Sequence, residues 1–96
     1  MDLFIFGIFH ARPGNEENVA KTLIDVVAPT RAEPGCISIN AFRSTADPQL
    51  FFIHTHWKDA KAFEAHITLP HTVHFIEHMT PLIDNPLELS RTEKIG

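Results

Sequence analysis

A chain of 96 residues, 44% apolar with eight Phe, makes one domain with a modest core and more large apolar surface than that core can hide. The formal charge of −4, with Lys and Arg scattered singly, gives no basic stripe for nucleic acid, and no apolar run reaches the roughly 18 residues of a membrane span. The lone cysteine, Cys36, cannot close an internal disulfide, which fits a reducing, cytoplasmic setting.

The opening MDLFIFGIFHARPG lacks the basic start of a secretory leader and reads as a strand over residues 3–10, stopped by Pro13-Gly14. Alternation puts Leu3, Ile5, Gly7 and Phe9 on one face and Phe4, Phe6, Ile8 and His10 on the other. Both faces are apolar, so both need covering. Asn15 is placed to cap a helix of about 15 residues, with Glu16 and Glu17 at its positive end. Val19, Leu23 and Val26 form its apolar stripe, and Pro29 with Glu33-Pro34-Gly35 ends it.

CISINAFRS (residues 36–44) reads as a second strand, residues 46–49 as a turn, and LFFIHTHW (residues 50–57) as a third strand completing a hairpin. On the third strand Phe51, Ile53, Thr55 and Trp57 share one face, and Phe52, His54 and His56 the other. Asp59 can cap a second helix through about Ile67, and Pro70 can open another. Residues 71–83 then set His71, Phe75, His78 and Leu82 along one stripe, and the segment after Pro86 alternates like a strand.

The order βαββα(α)β predicts an α+β, ferredoxin-like antiparallel sheet of four strands with helices on one face. The other face, carrying Phe4, Phe6, Ile8, Ile37, Ile39 and Phe52, would then be open, and a two-fold homodimer packed sheet against sheet would cover it.

The histidines invite a metal reading. His71, His74 and His78 fall at i, i+3 and i+7, with His66 nearby. No HExxH pattern accompanies them and His66 lies beyond Pro70, so no metal site is expected. The plainer reading gives His71 and His74 structural hydrogen bonds to backbone or to a carboxylate. His54 and His56 point to the open face and need partners there, with Asn40 or Arg43 as candidates. Cys36 reads as a small buried hydrophobe.

Three stretches together resemble one known family. They are ARPGNEENV, then EPGCISINAFRSTADPQLFFIHTHW, then WKDAKAFEAHITLPH followed by Phe75. In order and spacing they are similar to the antibiotic biosynthesis monooxygenase (ABM) domain, a dimeric α+β barrel, from Phe4 to about Glu93. That family includes cofactor-independent oxygenases of anthrones and quinols, haem-degrading enzymes and an isomerase of a phosphorylated signalling sugar derivative, so the resemblance implies a pocket rather than one reaction. The haem degraders' first-strand Asn falls at Gly7 here, which argues against haem. Many members carry a Glu where Thr55 stands. The chain has no Tyr to serve as a proton donor.

The resemblance implies a pocket between sheet and helices, lined by Ile5, Gly7, Phe9, Phe51, Ile53, Thr55, Trp57, Phe63, His66, His71 and Phe75. It implies oxygenation of a quinol- or anthrone-like aromatic small molecule by O₂ without metal or flavin. His66 would be the base, with Trp57 beside it. The alternatives are an isomerase or other proton-transfer enzyme on a small oxygenated metabolite, and a non-catalytic ligand-binding domain of the same fold.

Overall fold

Eight residues from Leu3 to His10 form β1 in the computed structural model, which describes residues 1–96. The elements α1 (Glu16–Arg31), β2 (Cys36–Arg43), β3 (Leu50–Trp57), α2 (Ala60–His66) and α3 (Pro70–Met79) follow. A 3₁₀ turn at Thr80–Leu82 leads to β4 (Leu89–Thr92). The strands make one antiparallel sheet in the order β2-β3-β1-β4, the ferredoxin-like arrangement the element order predicts. No helix is long and apolar enough to cross a membrane.

The core lies between the helices and one face of the sheet. Ile5 and Phe9 from β1 are buried there with Phe51, Ile53, Thr55 and Trp57 from β3, as their alternation requires. The α1 stripe Val19, Leu23 and Val26 closes over them, and Thr30 continues the stripe. Phe4, Phe6, Ile8, Phe42 and Phe52 lie on the opposite face, where Phe6, Ile8 and Phe42 are about half exposed at 49%, 51% and 53%.

Several boundaries depart from expectation. α1 runs through Pro29 to Arg31, because a proline near the end of a helix costs only one of the last hydrogen bonds. Asn15 makes no side-chain cap; its Oδ1 instead accepts from Asn18 Nδ2 at 3.3 Å. Asp59 does cap α2, its Oδ1 accepting from the Ala62 amide at 2.8 Å. The helix over residues 71–83 is α3 plus the 3₁₀ turn, and its most buried residues are Thr72 and Met79. The stripe His71, Phe75, His78 and Leu82 borders a groove against α1 instead.

Ile39 is a correction. It was expected on the open face with Ile37, yet it is 2% exposed and packs in the core. The cause is a β-bulge: Cys36 pairs with Trp57 while Ser38 pairs with His56, so Ile37 is an extra residue. Alternation resumes in the other phase, turning Ile39 and Ala41 inward and leaving Ile37 half exposed.

The chain after the 3₁₀ turn is fastened to the end of β1. Asp84 N–H donates to His10 O at 2.9 Å, His10 N–H donates to Asn85 Oδ1 at 2.8 Å, and the His10 ring meets Asp84 Oδ1 at 2.7 Å. That fastening lines the chain up to enter β4 beside β1.

Candidate functional site

α1 ends in a turn that carries Glu33. The Glu33 amide donates to Thr30 O at 3.0 Å, and Glu33 O accepts from Cys36 N–H at 3.1 Å. Gly35 then lies directly against α2, where an added Cβ would sit 2.2 Å from Ala62 Cβ. Only glycine permits that approach, so the turn and the start of α2 are held together. The Glu33 side chain, 9% exposed, thereby reaches the far end of α2.

His66 is the last residue of α2 and His71 the second of α3. The chain turns between them, with Leu69 N–H donating to His66 O at 3.1 Å. Both imidazoles reach one carboxylate oxygen: Glu33 Oε2 is 2.7 Å from His66 Nδ1 and 2.8 Å from His71 Nε2. An ionised carboxylate only accepts, so each of these nitrogens carries its proton toward Glu33. His66 is then left with Nε2 as a lone-pair acceptor. Thr72 Oγ1 lies 3.2 Å from His66 Nδ1 and Trp57 packs on the ring at a centroid distance of 4.7 Å. Trp57 Nε1–H itself donates to Thr55 Oγ1 at 2.8 Å.

Burial lowers the His66 pKa below the usual 6.5 and the nearby His71 adds to the lowering, while the hydrogen bond and charge of Glu33 act the other way. The neutral imidazole is therefore favoured. Burial and Glu33 raise the Cys36 thiol, and Arg31 opposes them, which leaves Cys36 without thiolate character.

His66 borders a small cavity of about 60 Å³ with Ile5, Phe9, Ile53, Thr55, Phe63 and Phe75. These seven were expected in the pocket. Gly7, Phe51, Trp57 and His71 do not line the cavity. Gly7 has its open side filled by Leu89 and Ile53, whose methyl carbons would stand 2.7 and 2.9 Å from an added Cβ. Phe51 belongs to the core under Arg43, Trp57 stands behind His66, and His71 faces the α1–α3 groove. His54 pairs across from Asn40, stacks on Phe4 and lies tilted against Phe6, and His56 is bonded to Asp2 Oδ2 at 2.8 Å. Arg43 is engaged with Glu17 at 2.8 Å.

Two members of the site escape sequence reading. Glu33 sits inside what reads as helix-ending punctuation; its signals are being the sole carboxylate between α1 and β2 and opening the EPGC stretch that carries the resemblance. Thr30 lines the cavity and is fully buried, and its Oγ1 has no hydrogen-bond partner. Its spacing of four from Val26, on the buried stripe of α1, is the signal that marks it. Glu33, His66 and His71 also bring three donor atoms within 4.8 Å of one another, a carboxylate and two imidazoles of the kind zinc or ferrous iron accepts. The two short hydrogen bonds account for the arrangement as it stands.

A family model described as antibiotic biosynthesis monooxygenase matches residues 4–78. A curated relative, the uncharacterized protein sll1783 of Synechocystis, is 24% identical over 87 residues, 91% of this chain. The match spans only 59% of that relative's length. Among solved structures, PA3566 of Pseudomonas aeruginosa is 27% identical with a TM-score of 0.91, covering 99% of this chain and 95% of that one. Rv0793 of Mycobacterium tuberculosis reaches a TM-score of 0.93 at 20% identity, covering 100% and 97%.

Proposed function

Because the chain belongs to the antibiotic biosynthesis monooxygenase family, we propose that it is a monooxygenase of a quinol- or anthrone-like aromatic small molecule, working without metal, flavin or haem. The observation that carries this reading is His66. Its ring borders an apolar cavity, burial favours its neutral form, and Glu33 holds Nδ1 so that Nε2 is the acceptor. That is the arrangement of an oriented general base. Nε2 takes the phenolic proton of the substrate, and the resulting anion passes an electron to O₂. One oxygen atom ends in the product as a carbonyl and the other leaves as water. Ile5, Phe9, Ile53 and Phe63 keep solvent from the intermediates.

The test is oxygen uptake and absorbance change with a dihydroxyanthrone, in air and under anaerobic conditions. Turnover in air that survives a chelator and stops without O₂ is the expected result. Product formed without O₂ would overturn the oxygenase reading.

One observation favours a second reading. A dry cavity of about 150 Å³ holds benzene, whereas this one measures about 60 Å³. A proton-transfer enzyme on a smaller oxygenated metabolite would use the same His66 and fit with less rearrangement, and O₂-independent turnover would distinguish it. A binding domain without chemistry would retain ligand affinity and show no turnover of either kind.

We further propose a homodimer through the open sheet face. Phe4, Phe6, Ile8, Phe42 and Phe52 make a continuous apolar surface there, of the kind that marks an interface. Sedimentation should show a species of twice the 10.8 kDa chain mass, and a monomer at micromolar concentration would exclude the dimer. A single cysteine, unable to close an internal disulfide, supports a reducing, cytoplasmic setting on this reading.

A further inference from the structure

The cavity beside His66 has a neighbour. Between α1 and α3 runs an open groove of about 840 Å³, bordered by Asn18, Lys21 and Thr22 on one side and His71, His74 and His78 on the other. Two residues border both spaces, Val26 of α1 and Phe75 of α3. They are the partition between the groove and the cavity.

The two sides of the partition are chemically linked. His71 faces the groove, His66 faces the cavity, and both hold the same Glu33 oxygen. A ligand passing from one space to the other would keep an imidazole within reach throughout. The cavity also has the marks of a place for a ligand rather than a packing fault. Thr30 lines it with a fully buried hydroxyl that no protein group satisfies, and buried polar atoms are rarely left so without a use. An aromatic molecule bearing an oxygen would supply the missing partner.

Of the two partition residues, Phe75 is the movable one. Val26 is 6% exposed and sits in the middle of the α1 stripe. Phe75 is only half-buried, and its aromatic neighbour is Phe9, edge-on at a centroid distance of 6.0 Å. Swinging one ring about χ1 would join the small cavity to the groove with no change in the sheet.

We propose that the α1–α3 groove is the entrance chamber for an oxygen-bearing aromatic ligand and that Phe75 is the door between it and His66, setting the size of ligand admitted. The proposal rests on the reading of the cavity as the substrate site.

Trp57, the chain's only tryptophan, packs on His66 at a ring-centroid distance of 4.7 Å and reports arrivals there. A dihydroxyanthraquinone, a flat product analogue, serves as the quencher in a stopped-flow experiment. The wild type should show a slow quenching phase, and Phe75→Ala should accelerate it about tenfold, the scale of one lost aromatic contact. Phe75→Leu, which keeps most of the packing volume and removes the ring, should fall between them and guards against an unfolded Ala variant. An unchanged rate in both variants, or no quenching in any of the three proteins, would overturn the door. Turnover of the dihydroxyanthrone is read separately. Variants that admit the analogue faster while no protein oxidises the anthrone would leave the door standing and remove the oxygenase reading. Unchanged entry with intact oxidation would do the reverse.

Discussion

Glu33 and His66 are 33 positions apart in the chain and 2.7 Å apart in the fold. The pair joins the end of the first helix to the end of the second, and it settles which nitrogen of His66 carries the proton. Through Oε2, Glu33 also fixes His71, so one buried carboxylate orders both imidazoles of the site.

Glu33→Gln should separate orientation from charge. The amide oxygen can still accept from both imidazoles, yet the raising influence of the Glu33 charge on His66 is lost. Turnover of the anthrone should fall by roughly tenfold, the scale of a charge-assisted hydrogen bond reduced to a neutral one, with KM little changed. His66→Ala, which removes the proposed base, should cost about 10²–10⁴ in kcat. Equal turnover in the wild type and the His66 variant would show that another group takes the proton.

The pH dependence follows from burial. Folding lowers the His66 pKa below 6.5, so between the two values the unfolded chain binds more protons than the folded one and stability rises with pH. The contribution is complete above about pH 6.5, where both states are neutral, and is lost as pH falls through the folded value. The Tm should therefore decline on acidification below that point, and His66→Gln should flatten part of the slope. The plateau of kcat/KM should likewise extend below pH 6.5 before it falls. An acid limb centred above 6.5 would contradict a buried His66 as the proposed base.

Gly35→Ala tests the contact that brings the turn to the helix. The new methyl would meet Ala62 Cβ at 2.2 Å, with backbone behind it, and overpacking of this kind costs about 1–3 kcal/mol. It should also displace Glu33 and depress turnover. Ala62→Gly in the same chain should restore much of both, giving a double-mutant coupling above about 0.5 kcal/mol. Additive losses in Tm would show that the two residues do not meet.

Much of this was readable in advance. Alternation placed the faces of β1 and β3 because each is regular and apolar on both sides. Asp59 announced its helix. What alternation cannot show is the extra residue at Ile37, since a bulge leaves no compositional trace in CISIN, and so alternation alone turns Ile39 to the wrong face. Glu33 was hidden for a different reason. In sequence it belongs to an ordinary Glu-Pro-Gly turn, and only the closeness of Gly35 to Ala62 converts that turn into the wall of a site.

Thr30→Val opposes stability to binding. Its hydroxyl is buried without a partner, so replacing it with a methyl should stabilise the free protein by roughly 1 kcal/mol. The same change should weaken binding of a dihydroxyanthraquinone, which loses its hydrogen-bonding partner. Thermal melts with and without the analogue measure both effects. A lower Tm in the free variant would mean that the hydroxyl is satisfied in solution.

The bulge at Ile37 acts as a change of phase in β2. Without it, Ser38, Asn40 and Phe42 would turn under the helices and Ile39 would face outward. One inserted residue thus decides which half of the strand's vocabulary is spoken to the core. It also uncouples two spacings that would otherwise be locked together. The turn bearing Glu33 can be tuned to its histidines while the inward residues farther along β2 stay in register with β3, so the constraints of the Glu33–histidine cluster and of core packing on this stretch of sequence are free to drift apart.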